Sequence, residues 1–118
     1  MNHILIVEDE TRLAAFLKKG LKKNGYLTSV AEDGEQAVEI SSSKQFDLMV
    51  LDLGLPIKDG FTVLRELRSK GKNFPVIVVT ARCDDGDKAK AIDCGADDYL
   101  AKPFRFQDLL SCVEENLS

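Results

Sequence analysis

The stretch Asp47-Leu48-Met49-Val50-Leu51-Asp52-Leu53 is a short apolar run with a carboxylate, Asp52, near its end. Runs of this length with hardly any polar residue are typical of strands buried on both faces of a parallel sheet. The run therefore predicts a strand over Asp47–Leu51, with Asp52 at its carboxyl end. Because functional groups in such sheets gather beyond the carboxyl ends of the strands, Asp52 is the first candidate for a functional residue.

Four comparable runs flank this strand, and helical segments separate them. The runs are His3–Val7, Leu27–Ala31, Pro75–Thr80 and the weaker Asp98–Ala101. Apolar residues recur between them with helical spacing, as at Leu13, Phe16, Leu17 and Leu21, and later over Ala89–Ile92 and Leu109–Leu117. This alternation predicts an α/β fold with a parallel sheet, right-handed crossovers and helices on both faces. The first, third and fourth runs predict central strands, and the fifth predicts an edge strand.

Composition limits the class of protein. A chain of 118 residues with 44% hydrophobic content predicts one compact domain over residues 1–118. Its net charge of −4 argues against direct DNA binding by this chain. Cys83, Cys94 and Cys112 form no CxxC pair, so a cytoplasmic location is expected and neither a disulfide framework nor a zinc site is indicated. The first apolar run is too short for a signal peptide or a membrane span, so no membrane partner is expected.

Three carboxylates are expected to share one small space. Glu8 and Asp9 follow the first predicted strand, and Asp52 ends the third. Carboxylates at such short separations repel one another, and each raises the pKa of the others. A hard divalent cation between them relieves this repulsion. Mg²⁺ suits such a site because it prefers oxygen ligands and takes only one or two protein carboxylates, and Mn²⁺ is an alternative.

Two further polar residues follow neighbouring predicted strands. Thr80 ends the fourth run, and Lys102 follows the fifth and precedes Pro103. A carboxylate such as Asp52 can attack phosphorus as a nucleophile, while the Lys102 ammonium and the Thr80 hydroxyl could contact the transferred oxygens. A cis Lys102-Pro103 bond is one way to turn the lysine into the pocket, although the sequence leaves the isomer open.

In this order, Glu8-Asp9, Asp52, Thr80 and Lys102-Pro103 resemble the motifs of response-regulator receiver domains of two-component systems. The resemblance extends over the chain and is strongest to the receivers of OmpR/PhoB-class winged-helix transcription factors, as in the segment Gly95-Ala96-Asp97-Asp98-Tyr99-Leu100. It implies a flavodoxin-like (βα)5 three-layer sandwich with the strand order 2-1-3-4-5.

The resemblance also implies a function. A sensor histidine kinase would donate a phosphoryl group to Asp52, and the domain would be a regulatory module rather than an enzyme. The metal would be held by Asp9, Asp52 and the carbonyl of Gly54, with Glu8 acting through water. Thr80 and Tyr99 would then switch the face formed by the fourth helix, the fifth strand and the fifth helix. The resemblance favours an output on transcription through a DNA-binding domain absent from this chain, and a single-domain regulator is the alternative.

The sequence departs from the resembled class in its fifth helix. Cys112 and Glu114 stand where relatives carry positive charges that pair across a dimer, although Lys88 and Asp108 could supply other charges. A network without an arginine loses bidentate pairing, so self-association through this face is expected to be weak. Arg82, two residues after Thr80, could either screen the phosphoryl group from water or extend into solvent.

The same residues are open to other functions and to simpler interpretations. A haloacid-dehalogenase-like phosphatase needs a second Asp two residues after the nucleophile, where this chain has Gly54. A receiver that acts only as an interaction module would lack Asp52 or the acidic pair, and a flavodoxin would need a phosphate cradle where residues 8–11 are acidic. Asp52 alone could simply end a strand. Glu10 is expected only to begin the first helix.

Overall fold

The computed structural model describes residues 1–81 and 85–118, except for the side chain of Asp85, so Arg82 and Cys83 lie outside the described residues. Five strands alternate with five helices. In chain order they are β1 (His3–Val7), α1 (Thr11–Lys23), β2 (Leu27–Ala31), α2 (Gly34–Ser43), β3 (Leu48–Asp52), α3 (Gly60–Ser69), β4 (Val76–Thr80), α4 (Asp85–Asp93), β5 (Asp98–Ala101) and α5 (Phe106–Leu117). In the described ranges, no helix has both the length and the apolar character needed to cross a membrane.

The five strands form one parallel sheet of order β2-β1-β3-β4-β5. This order confirms the α/β prediction and the order implied by the resemblance. β1, β3 and β4 are the central strands, and their residues are almost all buried. β5 is an edge strand, as predicted, with partly exposed residues.

Alternate residues of the central strands face two separate apolar layers. Leu5, Met49 and Val78 pack in a cluster with residues of α2, α3 and α4. Ile6, Val50 and Val79 pack in a second cluster with residues of α1 and α5. Because both faces are covered, these strands carry apolar residues at successive positions rather than alternating ones.

The structure corrects several predicted boundaries. β3 is shifted by one residue, so that Asp52 is its last residue and pairs with Val79 of β4. α4 is longer than predicted. α5 begins three residues before the predicted Leu109, because the Arg105 N–H donates to Asp108 Oδ2 at 3.4 Å and so closes the first turn.

Two local features fix the chain near the carboxyl ends of the strands. The Lys102-Pro103 bond is cis. Gly60 begins α3 directly against β3, and a Cβ atom at this position would lie 2.6 Å from the Asp52 carbonyl oxygen. No side chain larger than hydrogen fits there without displacing the backbone that carries Asp52.

The loop between β3 and α3 contains a strained turn. Ile57 has φ +69°, and the Lys58 N–H donates to the Pro56 carbonyl oxygen at 2.7 Å, which together define a γ-turn with a left-handed central residue. This conformation is unfavourable for a β-branched residue. The side chain of Ile57 is 77% exposed, so little burial offsets the strain.

Replacing Ile57 with glycine is expected to stabilise the fold. Glycine adopts positive φ freely, and the relieved strain exceeds the entropy that glycine loses on folding, which leaves a gain of about 1 kcal/mol in the free energy of unfolding. Urea denaturation of Ile57→Gly and wild type measures the difference. Ile57→Ala, which keeps the strain of a side chain, is the control, and an equal gain in both variants would contradict this account.

Candidate functional site

The three predicted carboxylates do meet at the carboxyl ends of β1 and β3. Ile6 pairs with Val50 and Val7 with Leu51, so the same register extended beyond β1 places Glu8 beside Asp52. Glu8, Asp9 and Asp52 each offer one carboxylate oxygen, and these oxygens lie within 4.8 Å of one another. Glu8 is 1% exposed and Asp52 6% exposed, whereas Asp9 faces solvent.

Lys102 supplies the positive charge of this cluster. Its Nζ lies 2.8 Å from Glu8 Oε1 and 3.5 Å from Asp52 Oδ2. The lysine is anchored by its backbone, because its N–H donates to the carbonyl oxygen of Thr80 at the end of β4. The structure therefore places Lys102 beside Glu8 and Asp52.

Backbone groups orient two of the carboxylates. The Gly54 N–H donates to Asp52 Oδ1 at 3.2 Å, and the Glu10 N–H donates to Glu8 Oε2 at 3.2 Å. Asp52 thus has one oxygen directed to the loop after β3 and the other directed toward Lys102. Such contacts hold an ionised carboxylate in one orientation.

Burial and charge shift two pKa values in this cluster. Burial raises the pKa of Glu8, and the charge of Asp52 adds to that rise, while Lys102 only partly opposes it. For Lys102, burial works in the opposite direction, but the hydrogen bond to Glu8 and the charges of Asp52 and Glu10 outweigh it and raise the pKa. The Lys102 ammonium therefore stabilises the fold below its ordinary pKa of 10.5, and this contribution is lost as the pH rises through the raised value.

Thr80 lies on β4, the strand next to β3, and Tyr99 lies on β5, the strand beyond it. Thr80 is 1% exposed, ends β4 and follows Val79, the ladder partner of Asp52. Tyr99 is half-buried in β5 and packs against the apolar layer that includes α4. The structure thus places Thr80 at the edge of the sheet that carries the carboxylates, whereas Tyr99 pairs with Val78, two residues earlier along β4.

Glu10 is a site residue that the sequence prediction missed. It is the N-cap residue of α1, as expected, but among the described groups its side chain accepts no capping hydrogen bond. Its Oε2 instead lies 3.5 Å from Lys102 Nζ. The sequence carries little signal for this contact, because β1 ends at Val7 and a bend at Asp9 separates Glu8 from Glu10.

The cluster has the donor set of a hard cation site. All three clustered side chains offer carboxylate oxygens, the ligand type that Mg²⁺ prefers, and a cation between them would offset their mutual repulsion together with Lys102. Chemically, the site combines a fixed carboxylate at Asp52 with an ammonium group and room for a metal ion. This is the arrangement that phosphoryl transfer to a carboxylate requires.

The site and fold define a regulatory receiver domain. The sequence matches the family of response regulator receiver domains over residues 4–114. The chain therefore belongs to that family.

Relatives and solved structures agree with this assignment. The chain is 43% identical to the transcriptional activator protein IrlR of Burkholderia pseudomallei over 114 residues. This aligned region covers 97% of this chain and 49% of IrlR. The chain spans about half the length of the curated relatives it matches, which are regulators of the OmpR/PhoB type.

Two solved structures share the fold throughout. The receiver domain of the Francisella response regulator 1452 is 32% identical, with a TM-score of 0.95 over 99% of this chain and 97% of that one. TrrA of Thermotoga maritima, solved in complex with Mg²⁺ and BeF, is 34% identical with a TM-score of 0.90, over 99% of this chain and 100% of TrrA. The flavodoxin-like architecture is therefore shown.

Removing Lys102 is expected to destabilise the fold in a pH-dependent way. In Lys102→Met the buried Glu8 loses its ammonium partner, so the pKa of Glu8 rises further. At neutral pH without divalent ions, the free energy of unfolding of the variant should be lower than that of wild type by about 1–3 kcal/mol. A raised carboxyl pKa weakens the fold above that pKa. The loss should therefore shrink as the pH falls toward 4.5, the ordinary value for this group.

Urea denaturation over this pH range, with chelator present, measures the effect. Lys58→Met is the matched control, because Lys58 pairs with Glu66 at 2.6 Å in a more exposed ion pair. In this control variant, the difference in free energy of unfolding from wild type should change little with pH. A Lys102→Met loss that does not vary with pH would show that Glu8 is not the group left without a partner.

Proposed function

We propose that this domain accepts a phosphoryl group on Asp52 from the phosphohistidine of a sensor histidine kinase, in a reaction that needs Mg²⁺. The observation that carries the proposal is the position of Asp52. It is a nearly buried carboxylate at the end of a central strand, with Lys102 Nζ 3.5 Å from one oxygen and two more carboxylates within 4.8 Å. The membership of the receiver family supports the same conclusion.

The metal would be held by carboxylates of Asp9 and Asp52 and by the Gly54 carbonyl, with Glu8 contacting it through water. The solved structure of TrrA with Mg²⁺ supports this choice of ion, and Mn²⁺ would suit the same oxygen ligands. When bound, Mg²⁺ supplies positive charge to the phosphoryl oxygens and lowers the repulsion around Asp52.

The protein's own residues would act as follows. An oxygen of Asp52 attacks phosphorus, the phosphorus–nitrogen bond breaks, and the departing histidine keeps the electron pair and takes up a proton. Lys102 moves its contact from the Asp52 carboxylate to a phosphoryl oxygen, where negative charge now lies. Thr80, at the end of β4, donates its hydroxyl to another phosphoryl oxygen. The domain is thus proposed as a regulatory module that promotes only its own phosphorylation and dephosphorylation.

The response would pass from Thr80 to Tyr99. Inward movement of Thr80 would open space for Tyr99 of the neighbouring β5 to rotate inward, and α4, β5 and α5 would repack. A doubly negative group at Asp52 supplies the differential contact that favours the second packing. We propose transcription as the output, through a DNA-binding domain outside this chain, because the relatives are transcription regulators about twice as long. The cytoplasm is the expected compartment, since the cysteines form no CxxC pair.

The kinase could dock on an apolar surface that adjoins the acidic pocket. A cavity of about 300 Å³ is lined by Leu13 and Phe16 of α1 and by Lys102, Pro103 and Phe104. Phe16 is 56% exposed. The surface lies where a donor that must reach Asp52 would make contact.

Self-association through α4, β5 and α5 is proposed to be weak. Cys112, on α5, replaces a positive charge of the class, and burial together with the charge of Asp98 raises its pKa to about 11. The thiol is therefore neutral and offers an opposing Asp or Glu no partner. Glu114 adds a negative charge on the same helix.

Phosphorylation by a small donor tests the central proposal. Wild type incubated with acetyl phosphate and Mg²⁺ should gain the mass of one phosphoryl group, and Asp52→Ala should gain none. Intact mass spectrometry measures both, and chelation of Mg²⁺ should abolish the gain in wild type. An adduct that persists in Asp52→Ala would place the acceptor elsewhere and reject the proposal.

Dimerisation after activation tests the proposed role of Cys112. With Mg²⁺ and beryllofluoride, wild type should sediment mainly as a monomer, whereas Cys112→Arg should dimerise about tenfold more tightly, because it restores charge pairing across the face. Ser111→Arg, which adds the same charge at an exposed neighbouring position of α5, is the control. A tight wild-type dimer through this face would overturn the proposal.

A further inference from the structure

Glu10 lies at the solvent side of the acidic pocket with its carboxylate directed to Lys102. The Glu10 Oε2–Lys102 Nζ distance is 3.5 Å, the same as the distance from Asp52 Oδ2 to that atom. The side chain of Glu10 is 67% exposed, whereas that of Lys102 is 15% exposed. Glu10 therefore contacts the lysine from outside, at the entrance through which a phosphoryl donor must come.

Among the described residues, the carboxylate of Glu10 does not cap the helix that it begins. As the N-cap residue of α1 it would ordinarily accept a hydrogen bond from the first turn, yet no such bond is made among the described residues. Its backbone is extended, with φ −78° and ψ 106°, and its side chain reaches the same Lys102 ammonium that Glu8 contacts. The start of α1 thus positions a third carboxylate on Lys102.

The three carboxylates around Lys102 differ in what they can do. Glu8 is buried and holds the ammonium at 2.8 Å, so it acts as the fixed partner. Asp52 is the proposed acceptor. Glu10 is the exposed competitor, because every contact it makes with Lys102 reduces the positive charge available to an incoming phosphoryl group.

We propose that Glu10 is a positioning residue that restrains Lys102 in the unphosphorylated domain and slows the acceptance of anionic phosphoryl donors. The inference rests on the proposed phosphorylation of Asp52 and adds a control on its rate. Two effects act in the same direction. Glu10 draws the ammonium away from Asp52, and its own charge repels a dianionic donor at the entrance.

The charge of the donor separates these effects from a structural role. Acetyl phosphate is a dianion at neutral pH, whereas phosphoramidate carries less net negative charge because its nitrogen takes up a proton. With saturating Mg²⁺ and low salt, Glu10→Gln should accept phosphoryl groups from acetyl phosphate about threefold faster than wild type. The gain should be smaller with phosphoramidate and should decline as salt is added.

Three further proteins complete the experiment. Glu10→Asp keeps the charge and should retain the slow wild-type rate with acetyl phosphate. Glu39→Gln removes an equal charge from the exposed face of α2 and should leave the rate unchanged. Asp52→Ala reports any phosphorylation outside the proposed acceptor, and intact mass spectrometry over time provides all rates.

The outcomes distinguish the two proposals. If wild type is phosphorylated at Asp52 but Glu10→Gln reacts no faster, or accelerates equally with both donors, the role of Glu10 is rejected and the proposed function stands. If wild type gains no phosphoryl group on Asp52, both fail. A faster Glu10→Gln with a salt-sensitive preference for acetyl phosphate supports the proposed role of Glu10.

Discussion

The contact between the Lys102 ammonium and the buried carboxylate of Glu8 is the interaction on which the site depends. Glu8 is almost completely shielded from water and lies in register beside Asp52, so the fold places two negative charges where solvent screens them poorly. One lysine at 2.8 Å makes this arrangement tolerable. The lysine comes from the opposite end of the chain, so completion of the sheet through β5 is required before the acidic pocket is balanced.

Much of the fold follows from the sequence, because each apolar run is separated from the next by a helical segment. The strict alternation predicts the parallel sheet and its two covering layers without further information. The strand order was not derivable from pattern alone, since strands that are apolar on both faces carry no mark of their neighbours. The strand order followed instead from the resemblance to receiver domains, which rests on residues such as Asp52 and Lys102. Boundaries failed where side chains decide them, as at Asp108, which closes the first turn of α5.

The site was predictable as a set of residues but not as a geometry. Polar residues at strand ends identified Glu8, Asp9, Asp52, Thr80 and Lys102, yet the sequence does not say which carboxylate is buried or which oxygen faces the lysine. Those facts depend on register and on side-chain orientation. Glu10 was missed for the same reason. An acid at the start of a helix has an ordinary explanation in the helix dipole, and only the position of Lys102 across the sheet reveals its other contact.

The close approach of Gly60 to β3 has a mechanical consequence. The Asp52 carbonyl is pressed against the beginning of α3 with no space for a methyl group, so the backbone of the acceptor cannot retreat in that direction. The backbone at Asp52 is therefore held rigidly on the side of α3 and does not act as a hinge. The Asp52 backbone therefore cannot relieve a change of charge on its side chain by moving toward α3, and any movement must involve its lateral neighbours in the sheet, β1 and β4.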